Sequence, residues 1–404
     1  MAEPDLDPET SSTKRHGIAV IGAGMIGAAH ASGYRAHIGR FGKELELHLA
    51  TVCDTREEAA KSLASTYGFR NWVTDWRTVM ADERVRIVSI ALPNAAHVEV
   101  ASAAIEAGKH MLCEKPLALS AAAARGLLDA AKRSGVIAGT VFNYRRFPAI
   151  AEIGKLVRAG EIGDPVHLLV QYQSEYGADP NLPHSWRDVR ALAGGGALTD
   201  LGTHAIDIAR FLCGEVAEVR GAAEAIVIKS RFCPAAATSG HDHATLSNER
   251  RPVDTDDVTS AILLFENGCQ GLLSASRVAV GMGNTLSLVL CGTRGTVRHT
   301  TAVAGEYQIA RLGGAGGGFS IVPNRPASPF ARDYLPVPHD GVAVGYAEAF
   351  GFMIAEFLAA IAAGVPFTNG SLTDGMKAAE VLEAIQRSAA SHRPVVLRES
   401  GAGR

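Results

Sequence analysis

The chain has 404 residues, 47% of them hydrophobic and 20% charged, which is length for two domains with real cores and excludes a disordered chain. Thirty-nine Lys and Arg against 42 Asp and Glu give a net charge of −3, so no basic field exists to draw nucleic acid or anionic lipid. Six cysteines without a C-x-x-C pair, and an acidic, polar N-terminus with no apolar signal core, point to reduced thiols in a cytoplasmic protein.

Residues 1–16 are expected to form a disordered tail. From Gly17 a β-branched run leads into closely spaced glycines and then an alanine-rich helical pattern, a strand, tight turn and helix. Strand patterns follow at Leu47 to Cys53, Val85 to Ala91, His110 to Cys113 and Val136 to Val141, with helical patterns between them. Gly108 and Gly135 close two of those helices as left-handed C-caps. Strands alternating with helices predict a Rossmann-type, doubly wound parallel sheet over residues 17–147.

After Pro148 the pattern changes. A helix at Ala149 to Ala159 precedes strand-like runs at Val166 to Gln173, Val219 to Ile228, Thr259 to Phe265, Gly271 to Val278, Thr285 to Cys291 and Gly295 to His299. Strands without intervening helices predict an α+β domain over 148–404, with a large mixed, mainly antiparallel sheet, one face of it suited to subunit contacts. Lys229 to Asp257 and Gly313 to Pro338 read as long loops. Gly341 to Val365 is the most hydrophobic long stretch, yet it carries Glu348 and Glu356, so a buried helix is expected there and not a membrane span.

Gly22-Ala23-Gly24-Met25-Ile26-Gly27 is a G-x-G-x-x-G placed as dinucleotide binding requires, after a strand and opening a helix. The first glycine makes the turn, the second lets a pyrophosphate approach and the third lets helix pack on strand. Asp54, at the end of the second strand, would accept the ribose hydroxyls and favour NAD; Arg56, two residues on, keeps NADP open. Glu114-Lys115-Pro116 lies at the carboxyl end of a parallel strand, where such sheets bind ligands. Asp200 and His204, four residues apart, share a helix face pointing away from the apolar stripe of Leu201, Ala205, Ile208 and Leu212. By spacing alone that pair fits an acidic first helical turn with a satisfied histidine as well as it fits a general base. His241-Asp242-His243 lacks a third ligand and reads as a solvated loop, so no metal is expected.

Several motifs in order resemble the glucose–fructose oxidoreductase/inositol dehydrogenase/rhizopine catabolism (Gfo/Idh/MocA) family: Ala91-Leu92-Pro93-Asn94-Ala95-Ala96-His97, Ala107 to Leu117 around Glu114-Lys115-Pro116, Asn143 to Pro148, Trp186-Arg187, and Gly194 to His204. The resemblance runs from about residue 17 to the C-terminus. It implies catalytic roles for Lys115, Asp200 and His204, and cofactor contacts from Leu92, Pro93, Asn94, His97, Glu114 and Asn143. It also implies that Trp186 and Arg187 close over the nicotinamide or reach the substrate, and that the protein is a homodimer or homotetramer. Arg145, Tyr172 and Asp188 are candidates for sugar hydroxyls, with structural roles equally open.

The function that follows is NAD-dependent oxidation of a secondary hydroxyl of a sugar, anhydro-sugar or cyclitol; sequence leaves open which of Lys115 and His204 takes the hydroxyl proton, and the expected arrangement has His204, oriented by Asp200, accept it while Lys115 holds the oxygen. Two alternatives stand beside it, a redox-neutral NAD-dependent glycosidase of the same family and a non-catalytic nucleotide-bound sensor.

Overall fold

A computed structural model describes residues 15–41, 45–235, 245–314, 318–324, 339–342 and 344–397. Six parallel strands form the first sheet, in the order β3-β2-β1-β4-β5-β6: β1 (Arg15–Ile21), β2 (Glu46–Cys53), β3 (Asn71–Val73), β4 (Val85–Ile90), β5 (His110–Cys113) and β6 (Ala138–Thr140). This is the doubly wound order whose switch point lies between β1 and β4. β1 begins at Arg15, so the last two residues assigned to the tail belong to the sheet.

Helices cover both faces. α1 (Met25–His37), α2 (Glu57–Tyr67) and, from the far end of the chain, α9 (Tyr346–Ala363) bury Ile18, Val20, Val52 and Leu112 on one side. α4 (His97–Glu106) and α5 (Ala121–Ser134) bury Ala19, Ile21, Val88 and Met111 on the other, and the short α3 (Trp76–Ala81) lies beyond β3. α5 is capped at both ends: Ser120 accepts the Ala123 N–H at its start, and Gly135, at φ 71°, ends it.

The second sheet has nine strands, in the order β16-β15-β14-β13-β7-β12-β11-β8-β17. They are β7 (Pro165–Ser174), β8 (Val216–Ala225), β11 (Val258–Phe265), β12 (Gln270–Ser276), β13 (Asn284–Gly292), β14 (Gly295–Thr300), β15 (Glu306–Arg311), β16 (Ser320–Pro323) and β17 (Val395–Val396). Only β7 and β12 run parallel; the other pairs are antiparallel. α6 (Pro148–Arg158), α8 (Thr203–Cys213) and α10 (Leu372–Ser391) pack on its inner face, and the four-residue α7 (Arg190–Ala193) precedes α8.

Two expected loops contain strands. Lys229 to Asp257 holds β9 (Ser230–Pro234) and β10 (Leu246–Pro252), paired antiparallel as an arm, with Arg231 and Cys233 turned inward. Gly313 to Pro338 holds β16. The polar composition of the arm hid it, since two short strands bury little apolar surface, and β16 is a four-residue strand at the edge of the large sheet. His241-Asp242-His243 lies outside the described residues.

The chain-order division at residue 147 is crossed twice by packing. α9 completes the core of the first sheet, and α10 gives Leu372, Met376 and Ala379 to the first body and Val381, Leu382 and Ile385 to the second. α9 is long and apolar enough to cross a membrane, but 61% of it is buried in the fold. Its Glu356 pairs with the buried Arg146. Next to that pair, Arg145 donates to Asp207 at 2.8 and 2.5 Å and to Asp374 at 2.9 Å. Arg145 and Asp207 are 6% and 1% exposed, so removing one partner strands a buried charge. Arg145→Met is therefore expected to cost about 3–5 kcal/mol in denaturant unfolding. A loss of activity with stability unchanged would return Arg145 to the substrate.

Candidate active site

The carboxyl ends of β1, β4 and β5 lie side by side, Ile21 opposite Ile90 and Ile90 opposite Cys113, which sets the glycine turn, the loop after Ala91 and Glu114-Lys115 along one edge. Each glycine of the turn does something different. Gly22 has φ +105°, and a Cβ there would sit 2.1 Å from the Ala91 carbonyl oxygen. At Gly27 a Cβ would meet the Gly22 carbonyl oxygen at 1.8 Å. At Gly24 a Cβ would meet nothing within 4 Å, and Gly24 begins α1 with no side-chain cap. Open space before uncapped helix N–H groups at Met25 and Ile26 is what a pyrophosphate needs, so the residues present fit a dinucleotide.

Asp54, at the end of β2, accepts the Ala23 N–H at 2.8 Å and the Arg56 N–H at 2.9 Å. This brings its carboxylate against the glycine turn, at the ribose corner. The Arg56 guanidinium folds back onto Asp54, its Nε 3.2 Å from Oδ1, and so neutralises the carboxylate instead of standing ready for a 2′-phosphate. Gly24→Ala is expected to leave the apo fold intact and to weaken NADH binding about tenfold or more by isothermal titration, since its methyl enters the phosphate space. Unchanged affinity would remove the turn from the cofactor site.

Lys115 follows β5, its peptide bond to Pro116 cis, with Nζ 2.9 Å from Asp200 Oδ1 and 2.7 Å from the Asp200 backbone oxygen. Glu114 accepts from the Lys115 N–H and meets the buried His30 of α1 at 3.2 Å. Asp200 lies in a π-helical turn, Leu198–Gly202, that feeds α8. Asp256, fully buried, anchors the start of that turn by accepting the N–H groups of Gly196 at 2.6 Å and Leu198 at 2.8 Å. The second Asp200 oxygen accepts the Tyr176 hydroxyl at 2.7 Å. Partial burial alone would raise the Asp200 carboxyl, but the charges of Lys115 and Arg187 and the hydrogen bonds outweigh it and hold the group far below the ordinary carboxylate range.

His204, in the first turn of α8, is 3% exposed and sits against the rings of Tyr144, Tyr172 and Phe142 at centroid distances of 4.8, 6.0 and 6.5 Å. Burial, then the Lys115 charge, pushes its pKa well below 6.5 against the opposing pull of Asp200. The imidazole is thus neutral near pH 7 and able to accept a proton. Its Nδ1 is buried without a hydrogen-bond partner among the described residues.

The expected Asp200–His204 hydrogen bond is not formed. Lys115 and Tyr176 take both carboxylate oxygens, because a charge-assisted bond to an ammonium outcompetes one to a neutral ring. Of the pair, Asp200 keeps 29% of its side chain exposed, as expected, but His204 is enclosed, 3% exposed.

Other expected residues divide in two. Leu92 and Pro93 lie in the loop after β4, Asn143 is buried beside Tyr346, and Arg187, stacked on Trp186 at 4.5 Å, contributes positive charge to Asp200. Asn94 is tied to the Ala193 carbonyl at 2.8 Å. His97 is enclosed, its ring nitrogens 2.8 Å from the Pro116 oxygen and 2.9 Å from the Leu92 oxygen, so it braces the Lys115 turn. Three substrate candidates are likewise committed to the protein. Tyr172 bonds Tyr144 and Asn284, Arg145 holds Asp207 and Asp374, and Asp188 caps Ser185 at 2.8 Å and faces Arg231 at 3.3 Å. Each is buried, and a buried polar group needs such partners. Sequence reading passed over Tyr176 and Asp256; both stand at strand ends beside glycine or acidic residues, with no spacing motif to mark them. No group of three or more His, Cys, Asp or Glu side chains is gathered as metal ligands among the described residues.

Comparison with known proteins gives a consistent picture. Residues 16–142 match the family described as "Oxidoreductase family, NAD-binding Rossmann fold", and residues 150–298 match "GFO/IDH/MocA C-terminal domain". Levoglucosan dehydrogenase of Pseudarthrobacter phenanthrenivorans is 34% identical over 376 residues, 92% of this chain and 96% of that protein. The NAD-dependent scyllo-inositol 2-dehydrogenase of Bacillus subtilis is 28% identical over 315 residues, 76% of this chain and 79% of that one. The solved structure of levoglucosan dehydrogenase in complex with NADH superposes with a TM-score of 0.87 at 33% identity, over 95% of this chain and 100% of that one.

Proposed function

The chain belongs to the GFO/IDH/MocA oxidoreductase family, and from that premise we propose that it oxidises a secondary hydroxyl of a sugar, anhydro-sugar or cyclitol to the ketone with NAD as acceptor. The observation that carries this reading is the Lys115–Asp200 pair, with the buried His204 within reach of both charges, at the sheet edge that also carries the glycine turn.

Bound NAD supplies the acceptor, nicotinamide C4, for the hydride that leaves the substrate carbon. The hydroxyl proton passes to His204, which can take it because burial and Lys115 keep the ring neutral. Lys115 has three N–H donors; two are engaged by Asp200, and the third is available to hold the substrate oxygen as it becomes a carbonyl. Asp200 keeps the ammonium in place, and Arg187 and Trp186 border the same cleft. Enclosure of His204 by three aromatic rings keeps bulk water from competing for the proton.

The test is nicotinamide absorbance with purified protein and NAD or NADP, across levoglucosan, inositols and aldoses. NAD reduction with one group of polyols, and little with NADP, is the expected result. Silence with cofactor bound would favour a redox-neutral glycosidase, seen as aglycone release, or a sensor.

We further propose a homo-oligomer assembled through the outer face of the nine-stranded sheet. Ile262, Leu272, Leu169 and Val289 form one cross-strand row there, with Ile262 and Leu272 45% and 44% exposed. Ile262→Glu is expected to shift the mass by light scattering toward the monomer; an unchanged mass would place the interface elsewhere. The six thiols, all free, support a reducing, cytoplasmic location.

A further inference from the structure

Building on the dehydrogenase reading, we propose that Tyr176 is a positioning residue: it fixes the Asp200 carboxylate so that Asp200 presents Lys115 to the substrate oxygen. Tyr176 lies two residues beyond β7, and its hydroxyl donates to Asp200 Oδ2 at 2.7 Å, while Lys115 Nζ occupies Oδ1 at 2.9 Å. The two donors therefore grip opposite oxygens of one carboxylate.

The reason this matters is geometric. With two of its N–H donors on Asp200, Lys115 has one left, and the direction of that one is set by where the Asp200 oxygens lie. A carboxylate rotates about its Cβ–Cγ bond, and lysine, on a flexible four-carbon stem, would follow the rotation instead of stopping it. Tyrosine, a rigid ring with two side-chain torsions, can stop it. Its phenol remains a donor, since burial and then the Asp200 charge raise it well above its ordinary value.

Tyr176 is itself held from outside the catalytic cluster. The Gly177 N–H donates to the Arg277 carbonyl at 2.8 Å, and a Cβ at Gly177 would lie 2.9 Å from that same oxygen. Arg231, on β9 and 3% exposed, donates to the Gly177 carbonyl at 2.6 Å and the Asp179 carbonyl at 2.7 Å. A buried guanidinium bonded to the loop carbonyls of Gly177 and Asp179 fixes the backbone on the C-terminal side of Tyr176. The β9–β10 arm is thus linked to Lys115 through Arg231, the 177–179 backbone, Tyr176 and Asp200.

The test is a double-mutant cycle of Tyr176→Phe and Asp200→Asn, read in two ways. Without substrate, trace acetylation of Lys115 by acetic anhydride, followed by peptide mass spectrometry, is expected to speed up about threefold or more in Tyr176→Phe, because a loosened carboxylate holds the ammonium less well. In the Asp200→Asn background the same change is expected to add nothing. With NAD and the polyol turned over by wild type, Tyr176→Phe is expected to lower kcat about 10- to 100-fold, with KM and NADH affinity little changed. It should also raise the isotope effect on the transferred hydrogen. Wild-type acetylation in Tyr176→Phe, or an effect of equal size in both backgrounds, would overturn the inference. A wild type that turns over no polyol would instead count against the dehydrogenase reading, while the acetylation cycle would still decide whether Tyr176 governs Lys115 through Asp200.

Discussion

Replacing Lys115 by Met is expected to lower kcat about 10²–10³-fold while NADH binding stays near wild type, because the lost group is a charged donor aimed where the oxygen changes its bonding. Lys115 is 12% exposed on its side chain and engages Asp200, 29% exposed, so the ammonium is largely removed from water and its field on a bound oxygen is little screened. The glycine turn and Asp54 lie on other strands and do not depend on it. Fluorescence titration with NADH and steady-state rates separate the two effects. A variant that binds NADH and keeps wild-type kcat would mean that Lys115 only lines the cleft.

His204→Asn carries the second large effect, a loss of about 10²–10⁴ in kcat/KM, the range expected when a positioned proton acceptor is removed. The pH profile tells more than the rate. His204 must be neutral to accept a proton, and burial and Lys115 push its pKa below 6.5, so the acid limb of the wild-type profile should lie below the ordinary histidine value. Protonation in that limb abolishes activity, and activity is full above it. Asp200→Asn removes the one charge that raises His204, so the limb should move lower still even as the rate falls. A limb at or above 6.5 in wild type, or one that survives in His204→Asn, would assign the proton to another group.

The parts of this account that the sequence made legible are those where chemistry is local. The glycine turn is readable because its three glycines fall at fixed short spacing between a strand and a helix, although the carbonyl that excludes a side chain at Gly22 belongs to Ala91. Asp54 is readable from its place at a strand end. Lys115, Asp200 and His204 were found through the family resemblance, and the fold brings Lys115 and Asp200 to within 2.9 Å although 85 residues separate them.

What was not legible depends on partners far along the chain. For Arg145 and Tyr172 the sequence left sugar contact and a structural role equally open; in the fold Arg145 pairs with Asp374, 229 residues on, and Tyr172 donates to Asn284, 112 residues on. The orientation assigned to His204 failed for a related reason. Helical spacing places Asp200 near it, but spacing says nothing of Lys115 and Tyr176, which compete for the carboxylate and win. The return of α9 to the first sheet was equally hidden: its sequence says only that it is apolar enough to be buried, and not against which body.

Net hydride transfer from a polyol carbon to NAD is read out by a substrate deuterated at the oxidised carbon. Incubated with NAD and the enzyme, it should yield reduced cofactor carrying deuterium at nicotinamide C4, in equal amount to the ketone released. Ketone-free release of an aglycone with the cofactor left oxidised, or bound NAD that never acquires deuterium, would contradict it.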